Sequence, residues 1–178
     1  MRLKMILVLA LCCCSAVAGV VAGAQESNYT SPAAKAAVKL GDAAITIDYC
    51  APQIHGRTIF GGLVPYDKVW RTGANAATTL KTSGALMIGN LHVPAGTYTL
   101  YSLPSKGGWK LIVSKETGQW GTEYHQDKDL GRVAMMVGST PAPVDSFAIS
   151  FDKTMGDATE LHLKWAGVDA SVPVKAMK

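Results

Sequence analysis

Cysteine, clustered charge and helical periodicity are all scarce in this sequence, and each shortage removes a class of protein. Four cysteines occur in 178 residues. Three of them, Cys12, Cys13 and Cys14, sit inside an apolar N-terminal run, so the rest of the chain holds only Cys50. One thiol closes no internal disulfide and builds no cysteine-based zinc site. Lysine and arginine number 17 against 13 acidic residues, and they form no basic run. Nucleic-acid binding draws on clustered cations that release counterions, so no nucleic-acid partner is expected. The four histidines show neither HxH nor HExxH spacing, which leaves a metal site only if distant loops assemble one. There is no G-x-S-x-G elbow, no P-loop and no Rossmann fingerprint, so neither a serine nucleophile nor a nucleotide cofactor is indicated, and no cofactor is expected.

The N-terminus has a definite character. Arg2 and Lys4 precede an apolar run from Met5 to about Val21, closed by Ala22, Gly23 and Ala24. A charged start, an apolar middle and an A-x-A triplet make up a secretory signal peptide over 1–24. A membrane anchor is the alternative, since the run approaches spanning length; against it, no basic stop-transfer cluster follows. Removing residues 1–24 from 178 leaves 154, enough for one domain with a core, and takes two cations, lowering the formal charge from +4 to +2. Residues 25–34 read as a flexible lead-in, 35–178 as the single domain, and Val174 to Lys178 as a fraying end.

What fills the domain is alternation. Ile45, Ile47 and Tyr49 alternate with Thr46, Asp48 and Cys50. Phe147, Ile149 and Phe151 alternate with Ala148, Ser150 and Asp152, and Leu161, Leu163 and Trp165 with His162 and Lys164. Each set reads as a strand with one buried face, which places His162, like His92, on the solvent side. Turn residues punctuate these runs at Gly41-Asp42, Gly89-Asn90, Pro94-Ala95-Gly96, Gly107-Gly108, Gly156-Asp157 and Gly167-Val168-Asp169. Ala33 to Lys39 has the composition for one helical turn. The expected fold is all-β, an antiparallel sandwich or jelly-roll-like barrel of roughly eight to ten short strands.

The densest stretch is GRTIFGGLVPYDKVWRTGAN, Gly56 to Asn75, which sets two arginines and a tryptophan among apolar residues and four glycines. Its glycines and Pro65 indicate a long irregular crossing rather than a strand, re-entering a strand at Val69-Trp70-Arg71. Strand alternation then sends Trp70 and Arg71 to opposite faces unless a bulge intervenes. Either arginine could anchor the crossing on loop carbonyls or on Asp48 or Asp67. Alternatively Arg57, Arg71 and Asn75, with Tyr66, Trp120 and His125 nearby, line a site for a small anionic or polyhydroxylated ligand, since the guanidinium fork suits carboxylate and phosphate. Arg57 is the better anchor and Arg71 the better ligand group.

These residues carry a resemblance. Gly56 to Tyr66 (GRTIFGGLVPY) and Val69 to Asn75 (VWRTGAN) resemble the signature of a family of exported bacterial proteins known as domain of unknown function 2911. Ala95 to Leu100, Leu103-Pro104, Trp109, Gln119-Trp120-Gly121, and Asp129 with Arg132 extend the likeness from about Ser31 to Val174. The resemblance implies an exported β-rich domain and brings no activity with it. It also implies an acidic residue after Gly73-Ala74-Asn75, where this chain carries Ala76.

The expected function is therefore an exported binding domain whose partner is a small polar ligand or an envelope component. The alternatives are a hydrolase or lyase using Glu123, His125 or Asp127 of the 120–132 loop as acid or base, and a structural envelope protein with no ligand. Protein recovered from outside the cytoplasm should give an N-terminal sequence beginning at Gln25; an intact Met1 in membrane extracts would identify the apolar run as an anchor.

Overall fold

The structure is a computed structural model that describes residues 31–177; the signal-peptide reading over 1–24 and the first six residues of the lead-in lie outside them. Nine strands form the domain: β1 (Ala33–Leu40), β2 (Ala43–Cys50), β3 (Thr79–Thr82), β4 (Leu86–Ile88), β5 (Leu91–Val93), β6 (Gly96–Leu103), β7 (Trp109–Ser114), β8 (Asp129–Met155) and β9 (Ala158–Ala176). The single helical element among the described residues is a 3-10 turn at Gln126–Lys128.

All strand pairings are antiparallel, in the order β1-β2-β3-β6-β7-β8-β9-β4-β5. The 27-residue β8 pairs with β7 through Asp129 to Met135 and with β9 from Met136 onward. The ladder thereby folds over at β8, and β1 comes to pack against β8 and β9 although it lies at the far edge. Register skips from Ser139↔Val168 to Val144↔Ala166, so the extra β8 residues, which include Pro141 and Pro143, bulge out of the ladder there. A bulge removes donors from the pairing, which is where proline is tolerated.

One apolar core lies inside the fold. Ile45, Ile47, Leu80, Leu100, Leu111, Val113 and Val133 meet Leu86, Ile88, Phe147, Ile149, Leu161, Leu163 and Val172 across it. Each fully buried aliphatic or aromatic side chain contributes about 1.5 to 3 kcal/mol, and with no disulfide in the described residues this burial supplies the stability. The strands read by alternation, within β2, β8 and β9, present the expected faces.

Four local expectations are corrected. Ala33 to Lys39 is strand rather than helical turn or lead-in, because every backbone group of β1 facing β2 has a partner, from Ala33↔Cys50 to Leu40↔Ala43. Gly167-Val168-Asp169 is no turn: β9 continues through it, with Ala166 in left-handed backbone (φ 52°) opposite the β8 bulge. The C-terminal segment is held, with Ile88↔Val174 and Leu86↔Ala176 paired and both Val174 and Ala176 buried. His162 is also buried, unlike exposed His92. Its Nδ1 lies 2.7 Å from Asp169 Oδ1 and its Nε2 3.2 Å from Glu160 Oε2. Period-2 reasoning misplaced it because the outer face of β9 is roofed by a charged network: Lys164 holds the Asp152 carboxyl below its ordinary range, and Lys153 does the same for Glu160.

At one end of the core the aromatics gather. Trp70 stacks on Trp165 at 5.7 Å with 17° between planes, and Phe147 meets both edge-on at 5.0 and 6.0 Å. Phe60 adds edge contacts to Trp70, Trp109 and Trp165. Trp165 is 1% exposed and its Nε1 donates to the Asp145 carbonyl at 3.0 Å. Trp165→Ala removes this ring and strands that carbonyl, so urea denaturation should show a loss of about 3 to 5 kcal/mol. A loss within about 0.5 kcal/mol, the range of exposed substitutions, would contradict this packing.

Candidate functional site

The connection from Ala51 to Thr78 crosses the aromatic end of the fold with isolated bridges and no strand of its own. Its first half is a knot of main-chain bonds: Leu63 N–H donates to Thr58 O at 3.0 Å, Val64 N–H to Ile59 O at 2.9 Å, and Gly61 N–H to Val64 O at 2.9 Å. Glycine is required at position 62 because a Cβ there would lie 2.4 Å from Thr58 O. The knot buries Ile59 and Val64.

The second half, WRTGAN, turns sharply. Trp70 makes a two-way bridge with Ser102 of β6, at 2.8 and 2.9 Å, in place of the expected strand. Thr72 and Asn75 then take φ of 52° and 58°. A left-handed β-branched residue is strained, and Thr72 is held there by its neighbours. Its hydroxyl donates to Ser102 Oγ at 3.0 Å, and its carbonyl accepts from Thr78 Oγ1 at 2.8 Å. Because the chain turns instead of extending, alternation does not separate Trp70 from Arg71, and both reach one cavity.

That cavity has a volume of about 820 Å³. Arg57, Lys68 and Arg71 line it together with Asn75, while Trp70 and Tyr124 provide part-exposed aromatic surface, backed by the buried rings of Trp165 and Tyr101. Among the described residues no aspartate or glutamate lines it. Arg57 spends Nε on Ile54 O at 3.0 Å and Nη2 on Gln53 O at 2.6 Å. Arg71 gives only a 3.3 Å bond from Nε to Gly73 O. Among the described residues neither guanidinium meets a carboxylate, whereas Arg132, away from the lining, binds Asp129 Oδ2 at 2.8 Å. Asp48, one of the anchors considered from sequence, pairs instead with Lys35 at 2.8 Å and Lys81 at 3.7 Å. The Nδ2 of Asn75 is buried with no hydrogen-bond partner among the described residues.

The wall opposite the crossing is the outer face of β6, covered by the segment after β7. Gly121 N–H donates to Asn75 O at 3.1 Å, and Trp120 bridges Ala76. A Cβ at Gly121 would stand 2.6 Å from Asn75 O and 2.9 Å from Arg71 Cδ, so a glycine there lets the segment close over the arginine. Behind it Tyr101 donates its hydroxyl to the Glu123 carbonyl and accepts from Gln119 Nε2 at 3.0 Å. Tyr124 donates to Asp129 Oδ2 at 2.8 Å and accepts from Arg132 Nη2 at 2.5 Å. Burial, reinforced by the bond to Asp129, pushes the Tyr124 hydroxyl up to about 12, so it is neutral at physiological pH.

Of the six residues picked from sequence, Arg57, Arg71 and Asn75 converge on the cavity and three do not line it. Tyr66 lays its ring against Gly61 and under Lys106 Nζ, 5.8 Å from the ring centroid. Trp120 is 46% exposed. His125 is exposed and its Nδ1 contacts Glu116 Oε2 at 2.9 Å, a bond that raises its pKa above the ordinary histidine value. Sequence reasoning missed Lys68, Tyr101, Tyr124 and the part of Trp165 that reaches the cavity. Lys68 was readable from its place beside the crossing; the tyrosines were not, because pairing of distant strands brings them there.

The two arginines should respond differently to lysine. Arg57→Lys cannot reproduce the forked grip on Gln53 and Ile54 and should lower stability by about 1 kcal/mol, the scale of a lost hydrogen bond. Arg71→Lys forfeits one long bond and should leave the melting temperature nearly unchanged. Paired thermal melts check this, and a larger drop for Arg71→Lys would reverse the assignment of anchor and free group.

The family profile described as Protein of unknown function (DUF2911) matches residues 31–174, which runs from the first described residue nearly to the end of β9. No curated protein and no solved structure matches the chain. The matched span contains the whole crossing, the β6 wall and the segment over it, so the cavity is built within the family's own domain. With most of its length matched, the chain belongs to the DUF2911 family of proteins of unknown function.

Proposed function

We propose that this protein is an exported binding domain that takes a small organic anion into the cavity beneath the Ala51 to Thr78 crossing. The observation that carries this reading is the charge imbalance of the lining: Arg57, Lys68 and Arg71 with no carboxylate among them. Cations gathered around one concave opening repel one another, most at half-buried Arg71, and an arriving anion relieves that repulsion. Arg71 keeps most of its donors free, and the planar fork matches a carboxylate or phosphate. The orphaned Asn75 Nδ2 is a further donor, whose lack of a protein partner is costly unless a ligand or water supplies one. The volume falls within the range of about 300 to 1,000 Å³ of small-molecule sites.

The acid-base alternative has less support. Glu123, His125 and Asp127 are exposed and do not line the cavity. A structural role without ligand leaves the free donors of Arg71 without a reason. Export rests on the signal-peptide reading of residues 1–24.

Calorimetric titration of the mature protein with a panel of small carboxylates and phosphates tests the proposal. Arg71→Gln removes the charge while keeping an amide donor and should weaken binding by about tenfold or more, the scale of a lost charged hydrogen bond. Affinities unchanged between wild type and Arg71→Gln, or no binding by any anion in the panel, would overturn it.

A further inference from the structure

Resting on the anion-binding reading above, the geometry points to a narrower class of ligand: we infer that the cavity takes an aryl or ring-bearing acid and discriminates against sugar acids and other polyols. The inference comes from what the wall opposite the arginines can still offer. A tyrosine hydroxyl has one proton to give. Tyr101 has given its proton to the Glu123 carbonyl and Tyr124 has given its proton to Asp129, and each hydroxyl already accepts a bond, from Gln119 and from Arg132. Both phenols are thus turned to the protein's own polar network. What remains for a ligand is the part-exposed ring of Tyr124, backed edge to face at 4.9 Å by the buried ring of Tyr101.

The remaining lining divides the same way. Leu63, Pro65 and Val69 give an apolar side, and Trp70, backed by the buried ring of Trp165, gives an aromatic floor. The charged groups, Arg57, Lys68 and Arg71, are donors only. A polyol is held best by charged acceptors for its many hydroxyl protons, and among the described residues the lining offers only neutral ones, on Ser31, Gln53, His55, Asn75 and Thr122. An aryl acid needs none: its carboxylate accepts from the arginines and Asn75, and its ring buries apolar area against tryptophan and tyrosine, whose faces and edges favour offset or edge-on contact. The lining therefore joins cationic donors to the part-exposed rings of Trp70 and Tyr124 and lacks a charged acceptor among the described residues, the complement of a flat anion.

The test titrates the mature protein with indole-3-acetate, 2-naphthoate, glucuronate and the neutral alcohol indole-3-ethanol, following heat and tryptophan fluorescence. The two aryl acids should bind at least about tenfold more tightly than glucuronate and than the neutral alcohol. Arg71→Gln should weaken the aryl acids by a similar factor. Glucuronate binding as tightly as the aryl acids would overturn the ring-acid inference while leaving anion binding in place. Absence of aryl-acid binding would likewise overturn it. Indole-3-ethanol matching indole-3-acetate, with Arg71→Gln without effect on either, would overturn the anion reading and this one together.

Discussion

The stack of Trp70 on Trp165, with Phe147 and Phe60 wedged edge-on around it, is the contact on which the rest of the molecule depends. Trp165 and Phe147 belong to β9 and β8, Trp70 is bridged to β6, and Phe60 comes from the knot at Gly61 and Gly62. Two halves of a folded-over sheet and an irregular crossing are thus tied at one point. Large rings do this well because each buries much area and loses few rotamers. With one free thiol and no disulfide in the described residues, nothing covalent shares the task.

The same cluster explains why the crossing tolerates strain. Thr72 and Asn75 occupy left-handed backbone, a conformation that is retained only where surrounding contacts over-determine it. Anchoring Trp70 on one side and Thr78 on the other leaves the intervening residues no extended path. The turn that results swings Arg71 over the rim of the aromatic floor, and Gly121 is the only residue small enough to let the opposite segment close on it. Packing in the core therefore sets the position of a charge outside it.

Charge is distributed unevenly over this fold. On the outer face of β8 and β9, Asp152, Glu160, His162, Lys164 and Asp169 satisfy one another. Around the cavity, among the described residues, the cations meet no carboxylate. The balanced network covers strand backbone and buries His162, whereas the three cations stay open to solvent, Arg57 and Lys68 exposed and Arg71 half-buried.

The residues by themselves determined the class of the fold and the neighbourhood of the cavity. Alternation in Ile45 to Tyr49, Phe147 to Phe151 and Leu161 to Trp165 is a local property, since a strand's side chains change face at every step whatever its neighbours are. The glycine and proline content of Gly56 to Asn75 likewise marks an irregular crossing from local chain stiffness alone, and it drew Arg57, Arg71 and Asn75 together as candidates. Burial of His162 was not legible, because it follows from carboxylates on β8 and further along β9 rather than from its own flanks. Tyr101 and Tyr124 were hidden for the same reason: one sits inside a strand and the other in a polar loop, and only the pairing of β6 with β7 and the closure of the segment over it make them one wall. Local sequence sets which way a side chain can point, whereas what it meets there depends on long-range pairing, which no short window of sequence contains.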